Sequence, residues 1–324
     1  MDGIKSRRAV WQISGGLPGR DYADFLLKHG LALLGPGDEG PWREGRVDDL
    51  YGGPSVRRFA TELRVGDALL LRVGHSTVRA VGVVASDYFY LADCDDVQGW
   101  DLQHARRVRW YRLPEPYDFG ASVFGGLPAL LAQVGQVEVR DFVERFLASP
   151  PTHWQDAPLP PLPPGEPPMA DVPEQLAGLV GQAQDLLQLY DDPDRFGDAP
   201  AEDELIVHYV VPFLRALGWP VECIAVKWKY IDVVVFDSLP RSAASCRFVV
   251  EAKRLGQSSE GALAQARGYL RSLDIQRQAV VTDGVRYRLF AADGDAIPIA
   301  YANLARPKQS SSKLFDCLQR CPRS

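Results

Sequence analysis

The chain has 324 residues, of which 46% are hydrophobic and 24% charged, with a formal net charge of -6; that length exceeds what one hydrophobic core usually organises, so two domains are expected. No apolar run approaches the roughly 18 residues needed to cross a bilayer, and the opening MDGIKSRRAVWQIS has no apolar stretch of the secretory type, so a membrane protein is excluded and a cytoplasmic one expected. Cys94, Cys223, Cys246, Cys317 and Cys321 are scattered, which fits free thiols in a reducing compartment and supplies no zinc-ligand spacing.

Residues 1–149 read as an α+β or barrel-like domain. A helix is expected at YADFLLKHG, closed by Gly30, and short strands at DALLLRV, VRAVGVVASDYFYL and RRVRWYRL, rich in branched and aromatic residues. Trp11, Trp42, Tyr88, Phe89, Tyr90, Trp100, Trp110 and Tyr111 occur among Arg57, Arg58, Arg106, Arg107 and Arg109. Aromatic faces stack on an extruded base while arginines hold phosphates, so the set suits nucleic-acid reading. Trp110 belongs to a core strand. His29, His75 and His104 are lone histidines with no paired nucleophile, and Asp101 and His104 are read as fixing the loop after Trp100.

Residues 150–173 are so dense in proline that neither helix nor central strand can form, and an extended spacer is expected. Residues 174–199 follow as a connecting helix, with Leu176, Leu179, Val180, Ala183, Leu186, Leu187 and Tyr190 at helical spacing, and an acidic loop. Glu174 to Glu204 holds nine acidic residues and one arginine, whereas residues 205–324 carry 17 Lys/Arg against 10 Asp/Glu, a net of +7. A basic module, with the nucleic-acid affinity that implies, is thus concealed in an acidic chain.

Residues 200–324 read as an α/β domain: a helix at EDELIVHYVVPFLRALG, strands at VECIAV, YIDVVVF and RFVVEAK, a helix through GALAQARGYLRSL, and strands at QAVVTD and YRLF. Asp232 opens one apolar strand, and Glu251 with Lys253 ends another. Two apart in a strand, Glu251 and Lys253 share a face; if the strands are neighbours, two carboxylates converge beside an ammonium, a set suited to magnesium.

The order of these elements, with D…ExK at their ends, resembles the core of the PD-(D/E)XK nucleases, in the subgroup that also serves type I restriction enzymes. The resemblance covers about residues 200–305 and includes Glu202, Pro212, the Leu217–Trp219 turn, Gln265 and Tyr269 in Gln-x-x-x-Tyr, and Thr282-Asp283-Gly284. It implies Mg2+ held by Asp232 and Glu251, with Lys253 beside the attacking water. It further implies Glu202 as an outer carboxylate, with Glu204 as the rival for that place, and Gln265 as a positioner of phosphate or lysine. Arg254 is expected at the DNA backbone. Ile231 stands where the signature's name has proline.

Trp11, the strand at 64–74, the strand at 80–90 and GWDLQHARRVRW at 99–110 resemble an EVE domain, a PUA-like barrel, over about residues 8–115. By that resemblance Trp11, Trp42, Tyr88 and Trp100 would form a cage for a modified base; Arg57, Arg58, Arg106 and Arg107, as the arginines among these aromatics, are expected to hold the DNA backbone. The two halves together imply a modification-dependent restriction endonuclease that flips a modified cytosine such as 5-methyl- or 5-hydroxymethylcytosine and cuts double-stranded DNA with Mg2+, without ATP and as a homodimer. A nuclease indifferent to modification, and a reader with little cleavage activity, are the competing expectations.

Overall fold

The computed structural model describes residues 8–44, 52–120, 123–125, 129–148, 157–190, 200–257, 260–294 and 296–320. The start of the proline-rich segment (150–156), most of the acidic loop (191–199) and Cys321 lie outside them. The chain forms two compact units, Met1–Pro164 and Gly165–Ser324.

The first unit is built on a mixed sheet. Its elements are β1 (Val10–Ser14), a small hairpin of β2 (Gly16–Leu17) and β3 (Arg20–Asp21), α1 (Ala23–His29), β4 (Leu31–Leu34), α2 (Gly53–Thr61), β5 (Ala68–Val73), β6 (Thr77–Val84), β7 (Phe89–Tyr90), β8 (His104–Asp118), β9 (Leu131–Gln133) and α3 (Val137–Ala148). The strand order is β4-β8-β6-β5-β1-β9, with β7 on β8; β1 runs parallel to β5 and the other pairs are antiparallel. The unbroken apolar run of β5 follows from burial on both faces. Leu69 and Leu71 pack with Trp11, Leu26 of α1 and Phe59 of α2, while Ala68 and Leu70 pack with Val10 and with Val139 and Val143 of α3. Trp110 lies over Gly82, where a Cβ would stand 2.5 Å from the indole ring, and donates its N–H to the Leu31 carbonyl at 2.7 Å.

The second unit comprises α4 (Glu174–Tyr190), the helix α5 (202–216), β10 (Ile224–Trp228), β11 (Ile231–Phe236), β12 (Cys246–Ala252), α6 (Glu260–Ser272), β13 (Gln278–Thr282), β14 (Arg286–Phe290), β15 (Ala300–Asn303) and α7 (Ser311–Leu318). Its six strands lie in sequence order. Among them β12 and β13 are parallel, joined across α6, and the neighbouring pairs are antiparallel. Val233, Val235, Phe248 and Val250 face Leu176 of α4, Phe213 of α5 and Leu314 of α7. Val234, Phe236, Val249 and Val281 face Ala262, Ala266 and Leu270 of α6. The helix α5 is α-helical over Glu202–Leu205 and Val211–Ala216, with a π-helical turn, Ile206–Val210, between them. Pro212 has no N–H to donate back along the helix, and a π turn is where a helix accommodates that missing bond.

The described part of the expected extended spacer is hydrogen-bonded along its length, up to Pro164 within the first unit and from Gly165 within the second. Arg107 and Arg109 donate to the Pro160 and Ala157 carbonyls, and His29 Nδ1 lies 3.2 Å from Pro161 O. Beyond the unit boundary, Met169 N donates to Pro307 O at 2.9 Å, and Glu166 accepts from the Ser310 hydroxyl at 2.8 Å.

Candidate functional site

The register Val233↔Val250 places Asp232 and Glu251 opposite each other on β11 and β12. Both side chains are almost fully enclosed, Asp232 being 6% and Glu251 1% exposed. Asp232 is held at both oxygens: Oδ2 accepts from the Ala252 amide at 2.8 Å and Oδ1 from Lys227 Nζ at 2.8 Å. Glu251 Oε1 accepts from Lys253 Nζ at 2.8 Å, whereas Oε2 is buried with no hydrogen-bond partner. Burial holds the Glu251 carboxyl above its ordinary range against the opposing pull of Lys253, and the charges of Asp232 and Glu202 add to the shift. A buried acceptor left without a donor is costly, so a wild-type protein that keeps one usually has a use for it.

Of the two acidic residues proposed for the outer position, Glu202 is the one whose charge reaches Glu251. Asp203, which lies between them in sequence, pairs with Lys227 at 3.0 Å. Lys227 therefore ties the start of α5 to Asp232, a role that no motif spacing announces. Gln265 donates to the Tyr269 hydroxyl at 3.0 Å on the exposed side of α6, so its described partner is on its own helix, not the lysine. Asp283 is engaged beside the site: it accepts from Gly256 N at 3.0 Å and from Arg286 Nη1 at 2.6 Å. It thereby ties the turn after Lys253 to the start of β14. Arg254 is exposed next to Lys253. Among the described residues no group of three or more His, Cys, Asp or Glu is arranged to hold a metal ion; the acidic pair is what is available.

In the first unit the aromatic residues separate into different environments. Trp42 and Tyr88 come together, the Trp42 amide donating to Tyr88 Oη at 2.8 Å. Tyr88 Oη lies 2.9 Å from His104 Nδ1, and His104 Nε2 lies 2.8 Å from Pro36 O. His104 is fully buried, and burial pulls its pKa down to about 4, so it is a neutral hydrogen-bonding post. The turn it supports is sterically tight, since a Cβ on Gly37 would lie 2.1 Å from Gln103 Oε1. Tyr90 donates to Gly37 O at 2.8 Å, and the Gly37 amide donates to Asp101 Oδ2 at 3.2 Å. Trp100 is elsewhere in this core, with the Arg20 guanidinium 3.9 Å from its ring centre and Tyr22 edge-on at 6.1 Å. Its indole N–H is buried without a hydrogen-bond partner, as is Gln103 Oε1.

Three expected roles need correction. Trp11 is 3% exposed and donates its indole N–H to Asp67 Oδ2 at 3.1 Å, which makes it a core residue with no ring face open to a base. Asp67 also accepts from Arg64 N at 3.0 Å, so the Gly66-Asp67 turn anchors this tryptophan. Arg106 is 3% exposed and donates to the carbonyls of Phe59, Ala60 and Ser86. Arg107 is bound to the proline segment, so neither guanidinium is offered to a phosphate. Arg57 is exposed on α2, and Arg58 lies 3.7 Å from Glu62 on the surface of the same helix.

No helix among the described residues is long and apolar enough to cross a membrane. None of the curated proteins compared with the chain matches it. Residues 24–122, from α1 to just past the end of β8, match the family model of a domain of unknown function, DUF8426.

Proposed function

We propose that the chain is a Mg2+-dependent DNA endonuclease of the PD-(D/E)XK kind, whose first unit reads a modified base. The observation that carries the nuclease half is the orphaned Oε2 of Glu251, buried opposite Asp232 with an ammonium on its other oxygen. An unpartnered buried carboxylate oxygen, a second carboxylate across the strand pair and further acidic charge from Glu202 suit a hard divalent cation. Asp232 and Glu251 would hold it; when bound, it supplies positive charge that neutralises a phosphate and eases ionisation of water.

The chain's own groups account for the remainder. The amide of Ala252 and the ammonium of Lys227 fix the orientation of Asp232 before any ligand arrives, which is the preorganisation that electrostatic catalysis requires. Lys253, seated on Glu251 with its side chain 14% exposed, can donate a hydrogen bond to the attacking water or to a non-bridging phosphate oxygen. Burial of the pair lowers the local dielectric and strengthens these interactions.

For the reader half, the supporting feature is Trp42 and Tyr88 joined at the 36–38 turn. The Trp42–Tyr88 pair suits stacking on an extruded base, and modified cytosines are the bases we assign. A homodimer without ATP is part of the same proposal.

The test is digestion of plasmids carrying cytosine, 5-methylcytosine or 5-hydroxymethylcytosine by the wild type and by Asp232→Ala, with magnesium or EDTA. Metal-dependent cutting of modified DNA alone, absent in the variant, is the expected result. Equal cutting of all three removes the reader half, and cutting that survives Asp232→Ala removes the assigned site.

A further inference from the structure

The hairpin that carries Asp232 has a tip that the nuclease chemistry leaves without a task. Trp228 pairs with Ile231 across a two-residue turn of Lys229 and Tyr230. Lys227, Lys229 and Tyr230 have φ of 53°, 49° and 71°. The left-handed region is adopted readily by glycine and asparagine, which tight hairpins normally supply. Holding bulky residues there costs on the order of 1 kcal/mol or more each.

Burial does not offset that cost at Tyr230, which is 86% exposed. Lys229 lies 4.6 Å from the centre of the Trp228 ring, and Trp228 is anchored edge-on against Phe236 at 5.3 Å. The result is a strained tip that presents an aromatic ring to solvent beside Lys229, while Lys227 on the same hairpin is engaged by Asp203 and Asp232. β10 is the edge strand of its sheet.

We propose that Tyr230 stacks on a nucleobase of the strand whose phosphate is attacked at Asp232 and Glu251, with Lys229 against the neighbouring backbone; this rests on the nuclease reading. Three features point to nucleic acid. The tip places the Lys229 ammonium beside an exposed ring, the combination that binds strands through phosphates and π-faces. The strained turn fixes the backbone that carries the ring, so little backbone freedom is lost on stacking. Tyr230 ends the turn one residue before β11 and two residues before Asp232, a reach of about 7 Å at most, or about two base steps of a duplex.

The test uses the full chain with calcium in place of magnesium and measures fluorescence anisotropy of a labelled duplex and its single strand. The variants are Tyr230→Ala, Tyr230→Leu and Tyr230→Phe, each exposed enough to fold normally, as calorimetry will verify. Alanine and leucine are expected to weaken binding about 5- to 100-fold, with phenylalanine within about twofold of wild type, since a stacked base contributes about 1–3 kcal/mol. Wild-type affinity in the alanine or leucine variant overturns the proposal. So does a phenylalanine variant as weak as alanine, which would mean a hydroxyl contact. A wild type that binds no strand, or an alanine variant that changes only the sedimentation of the protein, overturns it as well. Plasmid cutting keeps the two readings apart: if wild type cuts, Asp232→Ala does not and Tyr230→Ala binds normally, stacking alone falls. If neither cuts, the nuclease reading falls and anisotropy still judges Tyr230.

Discussion

Replacing Glu251 by glutamine should stabilise the second unit while abolishing cleavage. In the wild type the Glu251 carboxylate is 1% exposed with Oε2 unpartnered, and such a group costs about 1–3 kcal/mol. Glutamine keeps the acceptor that Lys253 uses and turns the orphaned oxygen into an N–H2 donor facing the negative charge of Asp232 and Glu202. A gain of about 1–2 kcal/mol follows, or about 2–8 °C in the melting of a unit of this size.

The gain has a pH signature. The folded pKa of Glu251 is raised above the ordinary 4.5, so in the interval between the two values the folded chain binds the more protons and stability falls as pH rises. The advantage of Glu251→Gln is therefore full above the raised folded value and disappears below about 4.5. Differential scanning calorimetry of both proteins between pH 4 and 8 measures it, without magnesium. A variant that melts lower than wild type at pH 7 would show that the Glu251–Lys253 pair is a structural ion pair and would refute the assignment of the open oxygen to a ligand.

The first unit should lose stability in acid through His104. Its folded pKa is lowered from 6.5 to about 4, so its contribution is present above 6.5 and lost as pH falls toward 4, by about 3 kcal/mol in all; thermal melts of His104→Gln should show a correspondingly flatter pH dependence. Gly37→Ala drives a Cβ to 2.1 Å from Gln103 Oε1. It should weaken binding to modified duplex about tenfold or more, with the weak affinity for unmodified duplex unchanged; undiminished binding would remove the 36–38 turn from the reader. Trp11→Phe should cost about 1–2 kcal/mol in denaturant titrations through the lost bond to Asp67, and leave duplex affinity within about twofold if the ring is only core.

The elements that carry apolar pattern were readable in the sequence. The apolar runs Ala68–Leu71 of β5, Val233–Phe236 of β11 and Phe248–Val250 of β12 do not alternate because both faces of each strand are covered, and α4 shows its buried Leu176, Leu179, Ala183 and Leu186 at helical spacing. The opposition of Asp232 and Glu251 needed the strand pairing, which an ExK spacing implies but does not supply. Lys227 was invisible for a different reason: it reaches Asp232 across a hairpin, and nothing local to KWKY marks that lysine as a partner. Arg106 and Arg107 look like surface arginines in sequence, because capture by the carbonyls of Phe59, Ala60 and Pro160 depends on chain segments 46 or more residues away. Proline density likewise foretold an extended chain without telling that its carbonyls would be used by neighbouring side chains.

The π turn in α5 acts as a phase adjuster. Five residues per hydrogen-bonded step in place of four amount to one residue too many for an α-helix, and each residue of an α-helix advances about 100° around the axis. Removing one residue from Ile206–Val210 would therefore restore a regular helix and rotate Glu202 and Asp203 about 100° relative to Phe213 and Leu214, which are fixed in the core. Such a deletion would improve helical regularity while turning the acidic end of α5 away from Lys227 and Glu251, so the irregularity sets the angular alignment between a packing face and a charged one.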